Sequence, residues 1–232
     1  MRIAEAYQRA GQRESAVAWA ERGLKAFPKD PDPRLRTFLA DEYHATGRDD
    51  EAMALMWAEF ADAPTLAQYQ VLKQHATRVR TWPAWREKAL ALLRERVAKE
   101  RAHPRRTDWG WDVRPDASEL VRIFLWEKDV EGAWQEAQSA GCSSDLWMDL
   151  AAKREKAHPG DALSVYQARM EPTLQEKRNE AYREAVGLLR KIRVLMRRTG
   201  READFAPYLA SLCAAHKPKR NFMAMLDRTR WD

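Results

Sequence analysis

Two residues near the C-terminus have the types and spacing that half of a metal site would need. Cys213 and His216 are three positions apart, so on a helix their side chains project from nearly the same face. A structural zinc site takes four such ligands, and no second pair follows at a suitable spacing. We therefore expect no metal and no cofactor. In this interpretation Cys213 packs in the core beside Leu209 and Leu212, and His216 lies on the surface.

A second candidate is the segment Asp108-Trp109-Gly110-Trp111-Asp112, which places two carboxyl groups beside two indole rings. Glycosidases use paired carboxylates in sugar-binding sites, but nothing else in the sequence supports a sugar site. We interpret the segment as part of a connecting loop, residues 103–117, that packs over a helix groove. Trp109 and Trp111 stay as recognition candidates, because tryptophan is enriched among the residues that dominate binding interfaces.

The third candidate is a cluster of basic residues in a predicted helix. Arg190, Arg193, Arg197 and Arg201 follow the spacing i, i+3, i+7, i+11, which predicts one basic stripe. Such a stripe can contact phosphates, with an affinity that falls as salt rises. The alternative is an ordinary solvated helix face. The absence of interleaved aromatic residues weakens an interpretation as a single-strand binding site.

The net charge explains why this cluster stands out. The chain has 41 Lys and Arg against 35 Asp and Glu, a formal net charge of +6. Residues 172–232 carry 14 basic and 7 acidic residues, whereas residues 1–171 are close to neutral. The basic surplus therefore lies in the last quarter of the chain, where a nucleic acid or another acidic partner would bind.

The elements that position these residues are indicated by an internal repeat. Two segments align without gaps at an offset of 36 residues. The matched pairs are Ile3/Leu39, Ala4/Ala40, Tyr7/Tyr43, Gly11/Gly47, Ala16/Ala52, Leu24/Phe60 and Pro28/Pro64. The first and third pairs predict a core face one turn apart on a first helix. Glycine then ends that helix, alanine allows close packing of a second helix, and proline ends the second helix.

This spacing resembles the tetratricopeptide repeat. The resemblance implies an all-α, right-handed superhelical solenoid of antiparallel helix pairs, with roughly 13 helices and a C-terminal capping helix near 219–230. We expect repeats over residues 1–102, the loop 103–117, and degenerate repeats over 118–232, joined in one solenoid. We also expect helices over 65–79 and from Trp82, an N-cap at Ser144, and one long helix over 173–198.

Residues 82–95, 121–137 and 181–226 resemble the C-terminal helical region of bacterial SWIM zinc-finger proteins, through their helix-packing patterns. The resemblance implies an accessory helical scaffold. The C-x-C…C-x-H ligand set of the SWIM module is absent from this sequence, so zinc binding does not carry over. Because Met1 lies inside a predicted first helix, we interpret the chain as a fragment or a short homologue of a longer repeat protein; the alternative is a natural start with a frayed first helix.

In a tetratricopeptide-like stack, first helices line the inner groove. The repeat alignment predicts that the groove-exposed positions are Arg2, Glu5, Arg9, Phe38, Asp41, His44, Gln74 and Arg78. This mixed polar surface fits a peptide or a partner helix. The sequence also has no catalytic triad, phosphate-binding glycine loop or dense His and Asp cluster.

We therefore predict a non-catalytic protein-interaction scaffold. The alternative is direct nucleic-acid binding through the basic helices of residues 172–232. The sequence has no apolar run of about 18 residues, which a membrane span needs, and no apparent secretory signal. Its two cysteines are too few for a disulfide framework. We expect a cytoplasmic protein that does not enter membranes. The oligomeric state stays open.

Overall fold

The computed structural model describes residues 2–27, 32–102 and 116–231, and within these ranges the chain forms 13 α-helices and no strand. The helices are α1 (Arg2–Arg9), α2 (Arg13–Ala26), α3 (Pro33–Ala45), α4 (Asp49–Asp62), α5 (Leu66–Arg78), α6 (Trp82–Ala102), α7 (Ser118–Trp126), α8 (Val130–Ala140), α9 (Ser144–Arg154), α10 (Pro159–Gln175), α11 (Asn179–Arg198), α12 (Phe205–His216) and α13 (Arg220–Asp227). The predicted all-α class is confirmed. None of the helices in these ranges combines the length and apolarity that a membrane span requires.

The chain divides into two compact units, Met1–Ile123 and Phe124–Asp232, with the boundary inside α7. In the first unit, each helix from α1 to α6 packs against the next one along the chain. Short turns join α1 to α2 and α3 to α4, so these packed helices run antiparallel. Ala16 and Ala52, the alanines that the repeat alignment places in the second helices, are both fully buried. They allow the close helix packing that the alignment predicts.

Glycine ends the first helix of both repeats, as predicted. Gly11 and Gly47 have φ of 74° and 75°, the left-handed region in which glycine carries no Cβ penalty. After α3, the Gly47 N–H donates to the His44 carbonyl and the Arg48 N–H to the Tyr43 carbonyl, at 3.3 and 2.8 Å. These two bonds make a Schellman motif, which satisfies carbonyls at the helix end.

The same turn recurs where the sequence has no glycine. Arg80 and Lys128 have φ of 59° and 66°, and the residues that follow them donate to Ala76 and Phe124 over 2.9 Å. Gly200 closes α11 in the same way. The same turn therefore joins α5 to α6 and α7 to α8. The glycine pattern does not reveal these turns because basic residues occupy the left-handed position.

The predicted burial is wrong at one core position of the repeat. Leu39 is fully buried, but its partner Ile3 is 53% exposed. Leu39 lies on α3, which packs against both α2 and α4. Ile3 lies on α1, and no described helix precedes α1 to cover the equivalent face. The repeat alignment finds equivalent positions but not their equivalent burial.

The second unit has its own core, built mainly on α10 and α11. The core includes Tyr166, Met170, Leu189, Ile192 and Phe222. The terminal helix α13 closes this unit by burying Phe222 and Leu226, which agrees with the predicted capping helix.

Two expected boundaries in the second unit are wrong. Residues 173–198 do not form one helix, since α10 extends through Pro172 to Gln175 and α11 begins at Asn179. Lys177, at φ 55°, lies in the left-handed region and breaks the helical path between them. The N-cap of α9 is Ser143 rather than Ser144, and its side chain makes no capping hydrogen bond.

Candidate functional site

One face of α11 is basic and exposed. Its exposed positions at i, i+4, i+7, i+11 and i+14 form a continuous line, here named the α11 stripe, which consists of Arg183, Gly187, Arg190, Val194 and Arg197. The opposite face of α11 is buried in the core of the second unit. Burial of that face holds the helix in place, so the stripe has a fixed position on the surface.

Two of the four residues of the predicted basic stripe belong to the α11 stripe, and the other two do not. Arg190 and Arg197 are exposed as expected. Arg193 is half-buried, with its guanidinium 5.8 Å from the centre of the Phe205 ring. Arg201 lies beyond the end of α11, and its Nε donates to Asp204 Oδ2 over 2.8 Å. The true helical line instead includes Arg183, because the side chains of positions 183, 190 and 197 fall on one face.

The cations beside the α11 stripe are engaged with α9. Lys191 Nζ is 2.9 Å from Glu155 Oε1, and this hydrogen bond raises the pKa of Lys191. Arg198 donates to the carbonyl oxygens of Glu155 and Lys156 at 2.7 and 3.1 Å. These carbonyls follow the C-terminus of α9, where the helix dipole favours a cation. Lys191 and Arg198 therefore hold α11 to α9.

The arginines of the α11 stripe are much less compensated. Arg183 Nη1 is 3.6 Å from Glu180 Oε1, an exposed pair within one helix. The guanidinium groups of Arg190 and Arg197 make no hydrogen bond or ion pair with any residue that the structure describes. Val194, between them, is 45% exposed. The stripe thus combines two free guanidinium groups with an apolar side chain.

The predicted groove residues of the first unit are partly at the surface. Arg9, Asp41, Gln74 and Arg78 are exposed and Glu5 is half-buried, while the side chain of Arg2 is outside the described part. Arg78 Nη1 lies 3.8 Å from Asp41 Oδ1, which links the first helices α3 and α5. Their role in binding stays a prediction.

The expected exposure of Phe38 and His44 is wrong, since each is only 8% exposed. His44 Nδ1 lies 2.6 Å from Asp49 Oδ1, and the His44 ring stacks on His75 with 5.2 Å between ring centroids. The packing of α3 against α4 and the partner ring from α5 remove His44 from the surface. Neither His44 nor Phe38 is placed to contact a partner.

His75 is a buried titratable residue that the sequence analysis missed. Burial lowers the pKa of His75, as do the nearby His44 and Arg78, while Asp41 opposes them. His44 Nε2 and His75 Nδ1 make no hydrogen bond with a described residue. The spacing of 31 residues between the two histidines differs from the repeat offset, so sequence alignment does not pair them.

Cys213 and His216 are not arranged as open metal ligands. His216 is buried, contrary to the expected surface position, with Nε2 2.9 Å from Glu171 Oε2 and Nδ1 3.0 Å from Lys219 Nζ. Burial raises the pKa of the half-buried Cys213 thiol, and Asp227 adds to this shift. No group of three or more His, Cys, Asp or Glu side chains suited to a metal ion is found among the described residues. The candidates Trp109 and Trp111 lie outside the described residues.

The second unit also contains a cavity of about 390 Å³, here named the α8–α10 cavity. Its lining residues are Trp134, Gln138, Ser144, Trp147, Met148, Ser164, Val165, Ala168, Arg169 and Pro172. Trp134 and Trp147 meet edge to face, with ring centroids 5.4 Å apart and an interplanar angle of 88°. The sequence analysis assigned both tryptophans to helix packing and did not identify the cavity.

No protein-family model and no curated protein matches the chain. Several solved structures of helical proteins are similar to it. One is the MamA protein, at 13% identity, covering 95% of this chain and 91% of that one, with a TM-score of 0.32. A second is TTC0263, a thermophilic TPR protein of Thermus thermophilus, at 20% identity, 81% and 96% coverage, and a TM-score of 0.30. A third is the human IFIT1 dimer with PPP-AAAA, at 14% identity, 89% and 52% coverage, and a TM-score of 0.31.

Proposed function

We propose that the chain is a non-catalytic protein-interaction scaffold and that a partner polypeptide binds the α11 stripe. The observation that carries this proposal is the pair of free guanidinium groups of Arg190 and Arg197 on a rigidly packed helix. Helix packing fixes where these charges stand, so a partner carboxylate pays little ordering cost on the scaffold side. An acidic segment of a protein is the matching ligand.

The exposed Val194 favours a polypeptide partner. It lies between Arg190 and Arg197, and an added Cβ at Gly187 would meet no atom within 4 Å, so the surface there is open. An acidic segment with one apolar residue can use both the charge and the apolar contact. The scaffold proposal also includes the exposed groove residues of the first unit, such as Asp41 and Arg78, as a second surface for a partner polypeptide.

Nucleic acid is the second candidate for the same stripe. Arg190 and Arg197 are about 10 Å apart along the helix axis, and free guanidinium groups bind phosphates well. The stripe itself contains no aromatic ring on which a base would stack. A nucleic-acid complex would therefore rest on phosphate contacts alone, with steep dependence on salt.

The two candidates can be separated with Arg190→Glu/Arg197→Glu and with Val194→Ser. A fluorescent peptide of alternating Glu and Leu, and single- and double-stranded DNA of random sequence, are titrated at about 50 and 150 mM salt. We expect the charge variant to lose peptide affinity at least tenfold and Val194→Ser to lose part of it. The control Lys217→Glu/Arg228→Glu changes the net charge equally at exposed positions elsewhere and should leave the affinity unchanged.

The pattern of losses decides between the candidates. DNA binding that falls in the charge variant but not in Val194→Ser, without peptide binding, would establish the nucleic-acid function instead. Equal losses in the stripe and control variants would show that only overall charge matters, and both candidates would then be wrong.

We also propose that the chain is the helical repeat region of a bacterial, cytoplasmic SWIM zinc-finger-type protein. The support is the resemblance in residues 82–95, 121–137 and 181–226. The gene region upstream of the codon for Met1 tests this proposal. A reading frame with further repeats and a C-x-C…C-x-H module is expected, and an upstream frame without such a module would contradict it.

A further inference from the structure

The α8–α10 cavity has aromatic walls that α8 and α9 hold in place. Trp134 is only 6% exposed, and the buried Arg154 guanidinium lies 4.7 Å from the centre of its ring. Trp147 meets Trp134 edge to face, and Met148 and Val165 complete the apolar lining. A volume of about 390 Å³ lies near the lower end of the range for small-ligand sites. The cavity therefore suits one ring system.

A proline inside α10 forms part of the same wall. Pro172 has no N–H, so the carbonyl of Ala168, one turn earlier, lacks the donor that residue 172 normally supplies. Ala168 and Pro172 both line the cavity. Proline in a helix interior is unfavourable, and departures from local folding rules concentrate at functional sites. Here the departure leaves the carbonyl of a lining residue, Ala168, without its usual helical donor.

The charges around the cavity favour a neutral ligand. Arg169 is the single charged residue of the described lining, and it forms ion pairs with Glu184 at 3.5 Å and Glu176 at 3.7 Å, while its buried Nε makes no hydrogen bond with a described residue. Its charge is thus compensated from α11 and from the end of α10. No carboxylate lies in the described lining to bind a cation. Ser164 already donates to the Gly160 carbonyl.

We propose that the α8–α10 cavity binds the side chain of a tryptophan on a partner polypeptide. The indole ring packs against Trp134 and Trp147, and its N–H donates to the Ala168 carbonyl. Tryptophan is the residue that combines a large apolar ring with a single donor and no charge. This inference rests on the proposed scaffold function in one respect, namely that the indole ring belongs to a partner polypeptide. The cavity itself is independent of the α11 stripe, because its lining residues lie on α8, α9 and α10.

The test uses the full chain with ¹³C-methyl methionine, in which Met148 reports on the cavity. Indole, benzofuran and N-acetyl-tryptophanamide are titrated by NMR. Benzofuran has the shape of indole but no N–H donor. We expect saturable shifts of the Met148 methyl signal with indole and N-acetyl-tryptophanamide, and a several-fold weaker affinity for benzofuran. Met53, which is buried in the first unit, should not shift.

Pro172→Ala separates a binding role from a structural one. Alanine restores the N–H that bonds the Ala168 carbonyl, so the variant should have a higher Tm. Its preference for indole over benzofuran should nevertheless disappear. An unchanged preference, or equal affinity for the two ligands in the unchanged chain, would overturn the proposed hydrogen bond.

Trp147→Ala should abolish saturation by both ring ligands, with its circular dichroism spectrum as a check on folding. Binding of indole but not of N-acetyl-tryptophanamide would show that the cavity takes a free ring rather than a partner's side chain, and would overturn the proposal. Because these titrations use no charged ligand, they fail or succeed independently of the peptide assay on the α11 stripe.

Discussion

At the residue scale, the turns that end several helices require one residue with a positive φ. Gly11, Gly47 and Gly200 meet this requirement without strain, whereas Arg80 and Lys128 adopt the same conformation with a Cβ. A non-glycine residue there costs about 1–2 kcal/mol. The repeat thus keeps its turn geometry even where the residue type does not favour it.

We predict that Gly47→Ala lowers the free energy of unfolding by about 1 kcal/mol. An added Cβ at this position meets no atom within 4 Å, so the cost comes from the backbone alone. Urea unfolding followed by circular dichroism measures it as a lower midpoint at unchanged slope. A loss above about 3 kcal/mol would show that the turn does more than close the helix.

Lys128→Gly tests the same argument with the opposite sign. Glycine removes the strain at φ 66° but increases the entropy of the unfolded chain. We expect a net gain of about 0.5 kcal/mol, again from the urea midpoint. Lys177→Ala leaves a Cβ in the left-handed region and should not give that gain.

His75 makes stability depend on pH. Because burial lowers the pKa of His75 in the folded chain, the unfolded chain takes up the proton first as pH falls below about 6.5. Its contribution to stability is therefore complete above that pH and is lost progressively below it. We predict a shallower fall in stability between about pH 6.5 and 5 for His75→Gln. As a control, His158→Gln at an exposed position should lose stability with falling pH as the unchanged chain does. The same dependence of stability on pH in the unchanged chain and both variants would contradict the prediction.

At the element scale, Arg154 joins three helices of the second unit. Arg154 lies on α9 and is only 5% exposed. Its Nη1 is 2.5 Å from Glu131 Oε2 of α8, and its Nη2 is 2.7 Å from Asp161 Oδ2 of α10. Burial lowers the pKa of Arg154, but the two carboxylates outweigh this and raise it. A buried cation is acceptable here because both partners also hydrogen-bond to it.

We predict that Arg154→Met destabilises the chain by about 1–3 kcal/mol. Methionine keeps much of the apolar contact with Trp134 but removes the hydrogen bonds to both carboxylates. The adjacent Lys153→Met is a matched control, because Lys153 is exposed and its pair with Asp149 is 3.5 Å long. The control should change stability by less than about 0.5 kcal/mol. Equal effects in thermal unfolding would count against the three-helix role.

At the scale of the whole molecule, each of the two units has its own core, and helix pairs contact mainly their neighbours along the chain. In such repeat proteins, stability is the sum of local terms rather than one global value. A substitution in the core of one unit should therefore lower the stability of that unit more than the stability of the other.

We predict that Leu189→Ala, at a fully buried position of α11, costs about 2–5 kcal/mol. Hydrogen exchange should rise through α9 to α13 more than in α2 to α6. The exposed Val194→Ala on the same helix should leave exchange nearly unchanged. Uniform acceleration over both units would indicate a single cooperative fold and contradict this prediction.

The sequence by itself determined the all-α class, the first two helix pairs and the starts of α5 and α6. These depend on local physics: helical periodicity, glycine at a left-handed turn and proline at a helix start act within a few residues. The basic character of the last quarter was also readable, because it follows from composition. The helices expected over 65–79 and from Trp82 begin within one residue of these positions.

Only the tertiary structure decided which side chains of those helices face solvent. Phe38, His44 and His216 were expected at the surface but are buried. His75 of α5 packs on His44, and Glu171 of α10 bonds to His216. Arg193 turns toward Phe205 and leaves the α11 stripe, while Arg183 joins it. The α8–α10 cavity likewise needs three helices to form its walls. Periodicity defines the faces of one helix, but the partner that covers each face is a non-local property.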